Sequence, residues 1–215
     1  MAIKIENVVT PSAEQWEAII RGTRNPMNSW DKGDSCFCPY EPDCEAGCPM
    51  HIGSNDLTLM KSLVKAGSDH SKFMRMINVT ADIIAPLYWW KEFDTYKVGT
   101  VRNSCSTMHK IAEKEFELDD FSHDQLNLDS MGLLKKTIEL LNYYREQFIE
   151  TMDKNFWWQM IQLLPQSYNQ CATVQLNYAV LRNMYKGRKN QKLDEWTVGF
   201  CNWIKSLPYS ELITM

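Results

Sequence analysis

A helix-rich α+β fold is predicted by three stretches of the sequence. Residues 4–9 alternate polar and apolar side chains, the pattern of a short, half-buried strand. Residues 129–164 repeat apolar side chains at helical spacing, enough for one long helix or two consecutive helices, and Pro165 ends the pattern. Residues 73–88 are apolar but interrupted by one charged residue and one proline, so strand and helix both remain open there.

Four further helices are predicted from capping residues and periodicity. Ser12 caps a helix that runs to about residue 24, with an apolar face and acidic residues in its first turns. Ser54 caps a second amphipathic helix, which ends at Gly67. Residues 176–186 and 193–207 carry helical spacing of apolar side chains and form the last two helices.

Composition and charge limit the classes of partner. The chain has 215 residues, 44% of them hydrophobic, enough for one substantial core, so we expect a single domain over residues 1–215. The net charge is −4 and the 23 Lys and Arg residues are scattered, which argues against nucleic acid as a partner. The start of the chain lacks the apolar core of a signal peptide, and no stretch approaches the ~18 uninterrupted apolar residues of a membrane span. A cytoplasmic protein without a membrane partner is therefore expected.

A cysteine-rich loop is predicted over residues 25–53, which hold four of the eight prolines and no sustained period. Soft metal ligands are concentrated within it: Cys36, Cys38, Cys44, Cys48 and His51. Thiolates and an imidazole could hold a tetrahedral Zn²⁺ ion there. The spacing is irregular beside the repeated C-x₂-C of zinc knuckles, so a structural zinc site and a loop with incidental thiols both remain open.

The other three cysteines are Cys105, Cys171 and Cys201. They lie far apart along the chain, in segments predicted to be core or helix. A buried thiol in such a segment acts as a small hydrophobe. Because the total of seven cysteines is odd as well, we expect reduced thiols.

An aromatic run stands at residues 86–96, where five aromatic and three charged residues occupy eleven positions. Trp89 and Trp90 could stack on a planar ring, and Lys91 could hold a phosphate. The alternative is an aromatic edge of the core with a solvated, charged rim. Both interpretations remain open on composition alone.

Three ordered blocks of the chain, within residues 67–205, resemble the flavin-dependent thymidylate synthases, the ThyX family. In the first block, Gly67-Ser68-Asp69-His70-Ser71 precedes an apolar stretch, and His70 falls within one position of the family's functional histidine. In the second, Trp89-Trp90-Lys91 stands where the family has Arg-His-Arg, and Asn103 and Ser106 match the Asn and second Ser that follow. Arg102, just before that match, could supply the guanidinium that the motif otherwise lacks.

The third block is the best match to the family. Leu164-Pro165, Asn177, Leu181, Asn183 and Arg188 fall at the spacing of the family's LP…N…L…N…R helix pattern. Two family arginines are absent, since Ala179 stands two residues after the first Asn and Val198-Gly199 stands where the motif closes. The N-terminal strand and helix also suit the family's topology.

The resemblance implies a ThyX-like fold with a small mixed or antiparallel sheet and long C-terminal helices. It further implies methylation of dUMP, or a related pyrimidine nucleotide, using methylenetetrahydrofolate and reduced FAD, in a homotetramer. The implied residues are His70 and Lys91 as catalytic groups, Trp89, Trp90, Lys91, Asn177, Asn183 and Arg188 at the cofactor, and Arg102, Ser104 and Ser106 at the substrate phosphate. Each has a structural alternative: for example, Arg188 could offset a helix dipole, and the two asparagines could bond to neighbouring backbone.

Two other functions remain open. The chain could keep the ThyX-like fold without the activity, as a nucleotide-binding or interaction protein, because the Arg-His-Arg triplet is replaced. It could instead be a zinc-stabilised binding module centred on residues 36–51. No protein nucleophile is required in the flavin reaction, and Cys105 has no base partner in the sequence to suggest one.

Overall fold

The computed structural model describes residues 3–37 and 50–215. The strands are β1 (Lys4–Val9), β2 (Asn78–Pro86), β3 (Val101–Ser104) and β4 (Asn169–Asn177). The helices are α1 (Ala13–Arg24), α2 (Ser54–Ala66), α3 (Leu87–Phe93), α4 (Thr107–Lys110), α5 (Leu128–Thr151), α6 (Lys154–Leu163), α7 (Tyr178–Arg188), α8 (Cys201–Ser206) and α9 (Glu211–Thr214). Short 3₁₀ turns occur at Asn25–Met27, Trp30–Lys32, Lys72–Arg75 and Leu118–Asp120, and Glu195–Phe200 is π-helical. None of the helices in these ranges is long and apolar enough to cross a membrane.

The four strands form one antiparallel sheet in the order β1-β2-β4-β3. The longest ladder joins β2 to β4, from the pair Asn78↔Asn177 to the pair Pro86↔Asn169. Strand β1 has a register shift between Glu6 and Val9, where Asn7 takes a φ of 52°. Because β2 and β4 are antiparallel neighbours, the segment before β2 and the helix after β4 lie at the same end of the sheet.

One face of the sheet is covered by the main core. Side chains alternate along β2 and β4, so Val79, Ala81 and Ile83 are buried together with Val174 and Leu176. Helices contribute the other side of this cluster through Trp16, Met60, Leu181, Trp196 and Phe200. The opposite face of β4 is partly exposed, which is the usual arrangement for an antiparallel sheet packed on one side.

A second cluster of buried apolar side chains lies between α5, α6 and the segment before them. Its buried members include Ile111, Phe121, Leu141 and Met160. The backbone of Phe116 is held to α5 by Asn142, whose side chain accepts from the Phe116 N–H and donates to its carbonyl. That the whole of residues 1–215 forms one domain stays a prediction.

The two predicted N-caps, Ser12 and Ser54, have different outcomes in the structure. Ser12 caps α1 as predicted, in a reciprocal capping box with Gln15. The predicted cap Ser54 is wrong: Ser54 is the first helical residue and Gly53 holds the cap position. The acceptor comes from outside the helix, since Asp34 accepts the backbone N–H groups of Asn55 and Asp56 at 2.9 and 3.0 Å.

Most predicted elements are observed, but several observed elements were not predicted, including the short helices α3, α4 and α9. The strand at residues 4–9 is confirmed, and residues 129–164, expected to form one long helix or two consecutive helices, form the two helices α5 and α6. The ambiguous stretch at 73–88 divides into a 3₁₀ turn, strand β2 and the start of α3. Strands β3 and β4 were not predicted, the helix expected from residue 176 starts at Tyr178, and the helix expected over 193–207 begins with a π-helical segment.

Candidate functional site

A cleft of about 220 Å³ separates the segment after α2 from one side of α7. One wall is formed by Gly67, Ser68, Ser71 and Arg75, and the other by Ala179, Arg182 and Lys186, with Val64 and Met74 at its base. The lining therefore combines three cationic side chains with two hydroxyl groups, and none of these described lining residues is acidic. Such a surface suits an anionic ligand that carries phosphate oxygens.

The topology of the sheet explains why these two walls meet. Asn78, at the start of β2, pairs with Asn177, at the end of β4. The segment that leads into β2 and the helix that leaves β4 are therefore neighbours. The first of these segments carries the first block of the ThyX resemblance, and α7 carries most of the third, whose Leu164-Pro165 instead precede β4 at the other end of the sheet. The residues of α7 that line the cleft lie beside the matched Asn177, Leu181, Asn183 and Arg188, which do not line it themselves.

The first wall is a tight reversal after α2. Gly67 ends α2 with a φ of 112°, a conformation that L side chains rarely adopt. The Gly67 carbonyl then accepts three hydrogen bonds, from the backbone N–H groups of His70 and Ser71 and from the Ser71 hydroxyl at 2.9 Å. This reversal fixes the backbone at the mouth of the cleft and leaves the Ser68 and His70 side chains exposed.

The second wall is the exposed side of α7. Arg182 and Lys186 are four residues apart, so their side chains lie on one face of the helix. Arg182 Nη1 also donates to the carbonyls of Leu212 and Met215, at 3.3 and 2.9 Å, and its partial burial lowers the guanidinium pKa. Lys186 and Arg75 make no ion pair within the described residues, which leaves their charges available to a ligand.

These three cations were not singled out in the sequence. Arg182 and Lys186 carry a visible signal, two basic residues four positions apart in a predicted helix, but that pattern is also typical of any solvated face. Arg75 lies five residues after His70, and only the three-dimensional reversal brings it opposite α7. His70 itself is exposed at the turn between the lining residues Ser68 and Ser71.

The two asparagines predicted at the cofactor have different environments. Asn177 is the N-cap of α7, and its Oδ1 accepts the Val180 N–H at 3.0 Å. That bond is the backbone alternative considered for it from the sequence. Asn183 is exposed on α7, next to Arg182, and makes no hydrogen bond through its side chain within the described residues.

Trp89 and Trp90 do not present a ring to a ligand in this chain. Their side chains are 0% and 2% exposed, within the main core. Trp89 packs against Trp196 and Phe93, with ring centroids 4.6 and 5.2 Å apart. The expectation that these two indoles stack on a cofactor is therefore corrected to the alternative of an aromatic core, because the hydrophobic effect buries both.

Arg102 is already engaged within the chain. Its guanidinium carbon lies 4.0 Å from the Trp90 ring centroid, Nη1 donates to Asp94 Oδ2 at 2.7 Å, and Nη2 donates to Gln170 Oε1 at 2.5 Å. The Arg102 Nε is buried and has no partner in the described residues. The arginine expected at a substrate phosphate thus anchors β3 onto α3 and β4.

Arg188 is held by an internal carboxylate as well. Its Nη1 donates to Glu92 Oε2 at 2.9 Å and its Nε donates to the Tyr96 hydroxyl at 2.8 Å. Glu92 also accepts from Trp196 Nε1 at 2.7 Å and from Gln191 Nε2 at 3.0 Å, so one carboxylate joins α3, α7 and the π-helical segment. Lys91, the neighbour of Glu92, is exposed on α3 and has no ion-pair partner within the described residues.

The predicted substrate serines lie away from the cleft. Ser104 is the last residue of β3 and pairs with Ala172, five residues before Asn177 on β4, a separation of roughly 16 Å at ~3.3 Å per residue. Ser106 is exposed and caps α4, where its Oγ accepts the His109 N–H at 3.1 Å. Neither serine of the second block is therefore among the residues that line this cleft.

The proposed zinc ligands are only partly within the described residues. Cys36 and His51 form an isolated antiparallel bridge, with both backbone hydrogen bonds at 3.0 Å. Cys38, Cys44 and Cys48 lie outside the described residues. Within residues 3–37 and 50–215, no group of three potential ligands is close enough to hold a metal ion.

Comparison with known proteins bears on the fold. No protein-family model matches the sequence, and no curated protein matches it. Solved structures do match, among them two of thymidylate synthase X (ThyX) from Helicobacter pylori with FAD and dUMP. One is 16% identical, with a TM-score of 0.66, and the match covers 100% of this chain and 96% of that chain. The other is 15% identical, with a TM-score of 0.66 over 99% and 98%.

The likeness confirms the predicted fold class. The chain is helix-rich, with a small antiparallel sheet of four strands, and it has the ThyX fold across its full length. At this sequence identity the likeness establishes the fold, while activity has to be argued from the site.

Proposed function

We propose that this chain is a divergent flavin-dependent thymidylate synthase-like protein that methylates dUMP or a related pyrimidine nucleotide. The proposal extends to methylenetetrahydrofolate as the one-carbon donor and to FAD as the cofactor. The observation that carries it is the cationic cleft between the Gly67–Arg75 segment and α7, where two blocks of the ThyX resemblance meet. The proposal is also supported by the fold that the chain shares with two ThyX structures that hold FAD and dUMP.

The residues of the cleft fit a flavin cofactor through its charge. Arg75, Arg182 and Lys186 offer three positive groups, and the exposed Ser68 adds a hydroxyl donor, which together suit a diphosphate; the Ser71 hydroxyl already donates to the Gly67 carbonyl. FAD, when bound, supplies the transfer of reducing equivalents. The protein's part is to bind and orient it; in this proposal His70, exposed between Ser68 and Ser71, and Asn183, exposed next to Arg182, would contact the ring.

The substrate side of the proposed site requires more than one chain. Ser104 and Ser106 lie at the opposite end of the sheet from the cleft, so a homotetramer would bring the serines of one chain to the cleft of another. Exposed apolar side chains on α5, such as Leu133, Leu140 and Tyr143, offer surface for such an assembly. The tetramer and the cytoplasmic location belong to the proposal.

A second candidate is a ThyX-fold protein that binds a nucleotide without turnover. The specific observation that favours it is the internal use of Arg102 and Arg188, both held by carboxylates of the same chain. Each guanidinium therefore already has a counter-charge before any ligand binds. The structural zinc site stays a prediction, since three of its cysteines lie outside the described residues.

Turnover distinguishes the two candidates. Purified protein is incubated with dUMP, methylenetetrahydrofolate, FAD and a chemical reductant of the flavin, and the nucleotide products are separated by chromatography. The methylase proposal expects methylated nucleotide that depends on both FAD and reductant. Binding of dUMP with no product under any of these conditions would support the inactive alternative and overturn the methylase.

A further inference from the structure

Cys105 and Cys171 lie directly opposite each other on neighbouring antiparallel strands. The β3–β4 register runs to the pair Ser104↔Ala172, and one step further it places Cys105 opposite Cys171. The Cys105 N–H donates to the Cys171 carbonyl at 2.9 Å, one of the two bonds that define a hydrogen-bonded pair. Cys105 and Cys171 are far apart along the chain, but the antiparallel pairing of β3 with β4 brings them together.

The geometry of such a pair suits a disulfide. Residues in a hydrogen-bonded antiparallel pair have Cα atoms about 5.5 Å apart and side chains on the same face. Disulfides span Cα separations of about 4.4–6.8 Å. Cys105 lies just beyond the end of β3, where the backbone has more freedom to settle into the required torsion angles than it has inside a ladder.

The exposure of the two thiols indicates which of them reacts first. Both are unbridged in the structure, Cys105 is exposed, and Cys171 is partly exposed. Burial raises the pKa of the Cys171 thiol, and the neighbouring Cys105 raises it further, which makes Cys171 the less suitable of the two to attack first. An oxidant in solution therefore meets Cys105 first, with Cys171 already beside it.

We propose that Cys105 and Cys171 form an intramolecular disulfide when the protein meets a small-molecule disulfide such as oxidised glutathione. The Cys105 thiolate attacks the glutathione disulfide, forms a mixed disulfide and expels one glutathione thiolate. The Cys171 thiolate then attacks the Cys105 sulfur and expels the second. The two protein thiols lose two protons and two electrons in all, and one glutathione disulfide becomes two glutathione thiols.

The bond would tie the end of β3 to β4 immediately before Ser106. Strand β3 has four residues and pairs only with β4 within the described residues, so its end is a weakly held edge. The proposal concerns the thiols alone and does not depend on the flavin function.

Peptide mapping tests the proposal directly. Native protein is incubated with oxidised glutathione, free thiols are blocked by alkylation, and the protein is digested with trypsin without reduction. Cleavage after Lys and Arg places Cys105 in peptide 103–110, Cys171 in peptide 155–182, Cys201 in peptide 193–205 and the four loop cysteines in peptide 33–61. The expected product is peptide 103–110 joined to 155–182, with a mass about 2 Da below their sum.

Two kinds of variant make the result decisive. Cys171→Ser should abolish the joined peptide and leave Cys105 as a stable glutathione adduct, because the resolving thiol is gone. Cys201→Ser is the matched control, since Cys201 is buried away from the pair, and it should leave the joined peptide unchanged. Cys105 found in wild type only as a glutathione adduct, or joined to peptide 33–61, would overturn the proposal.

Discussion

Arg24 and Asp56 form a buried ion pair, with Nε and Oδ1 2.5 Å apart and side chains 4% and 1% exposed. The pair joins the end of α1 to the first turn of α2. The other Asp56 oxygen accepts the backbone N–H groups of Asp34 and Ser35, at 3.1 and 3.0 Å. The remaining guanidinium donors reach the Ser29 and Lys32 carbonyls, so every charged atom of the pair is satisfied.

Asp56→Asn should lower the free energy of unfolding by about 3–5 kcal/mol, because it leaves the Arg24 charge buried without a counter-charge. Urea denaturation measures the change. Glu17→Gln is the matched control: the Arg21–Glu17 pair is exposed on α1, and its loss should cost less than about 1 kcal/mol. Equal costs for the two substitutions would show that the buried pair does not stabilise the junction of α1 with α2.

Trp89 and Trp90 should respond differently to replacement by phenylalanine. Trp89 Nε1 is buried without a partner in the described residues, whereas Trp90 Nε1 donates to the Gln170 carbonyl at 2.9 Å and its ring supports Arg102. Trp90→Phe should therefore destabilise the protein by at least about 1 kcal/mol more than Trp89→Phe. The two urea midpoints, measured side by side, test this order, and the reverse order would contradict the assigned contacts.

Lys186 should contribute to flavin binding without contributing to stability. It lines the cleft and has no ion-pair partner in the described residues, so Lys186→Gln removes one charge from the ligand site alone. We expect FAD affinity to fall about tenfold, the equivalent of one lost charge-assisted hydrogen bond of ~1.4 kcal/mol, with an unchanged melting temperature. Lys189→Gln is the control, since Lys189 lies beyond the end of α7 and outside the lining. Equal losses in both variants would indicate a general charge effect.

Asp34 should make stability depend on acid pH. Its pKa is lowered, chiefly by the Asn55 N–H that it accepts at the start of α2. A carboxyl whose pKa is lower in the folded state stabilises that state above its unfolded pKa, near 4, and the contribution is lost as pH falls through the folded value. Asp34→Asn keeps an acceptor oxygen but does not titrate, so its urea midpoint should fall less between pH 5 and pH 3 than that of wild type. Parallel pH profiles would contradict the assignment.

Short-range patterns in the sequence predicted the elements that carry clear caps or a clear apolar period. Ser12 with Gln15 marks the start of α1, and the apolar period of residues 129–164 marks α5 and α6. Strand β3 was missed because four residues, Val101 to Ser104, are too few to show a period. Strand β4 does alternate, with Ala172, Val174 and Leu176 buried, but polar residues at its ends obscured the pattern.

The site was predicted less completely, because its contacts are long-range. The sequence assigned Arg102 and Arg188 to ligands, but Asp94 and Glu92 hold them, and the Glu92–Arg188 bond joins residues 96 positions apart. Trp89 and Trp90 were expected to stack on a ligand because they are adjacent aromatic residues, but both are buried in the core. The turn that holds His70 and helix α7 do face each other across one cleft, although the side chains that line it are Ser68, Ser71 and Arg75 on one side and Arg182 and Lys186 on the other.

Binding of FAD tests the central claim most directly. Equilibrium dialysis of the purified protein against FAD, at low and high salt, measures both the stoichiometry and the ionic part of the affinity. A cationic flavin cleft predicts one FAD per chain, with affinity that falls as salt rises and falls further in Lys186→Gln. The claim would be contradicted if, even at high FAD concentration, the protein chamber held no more FAD than the buffer chamber.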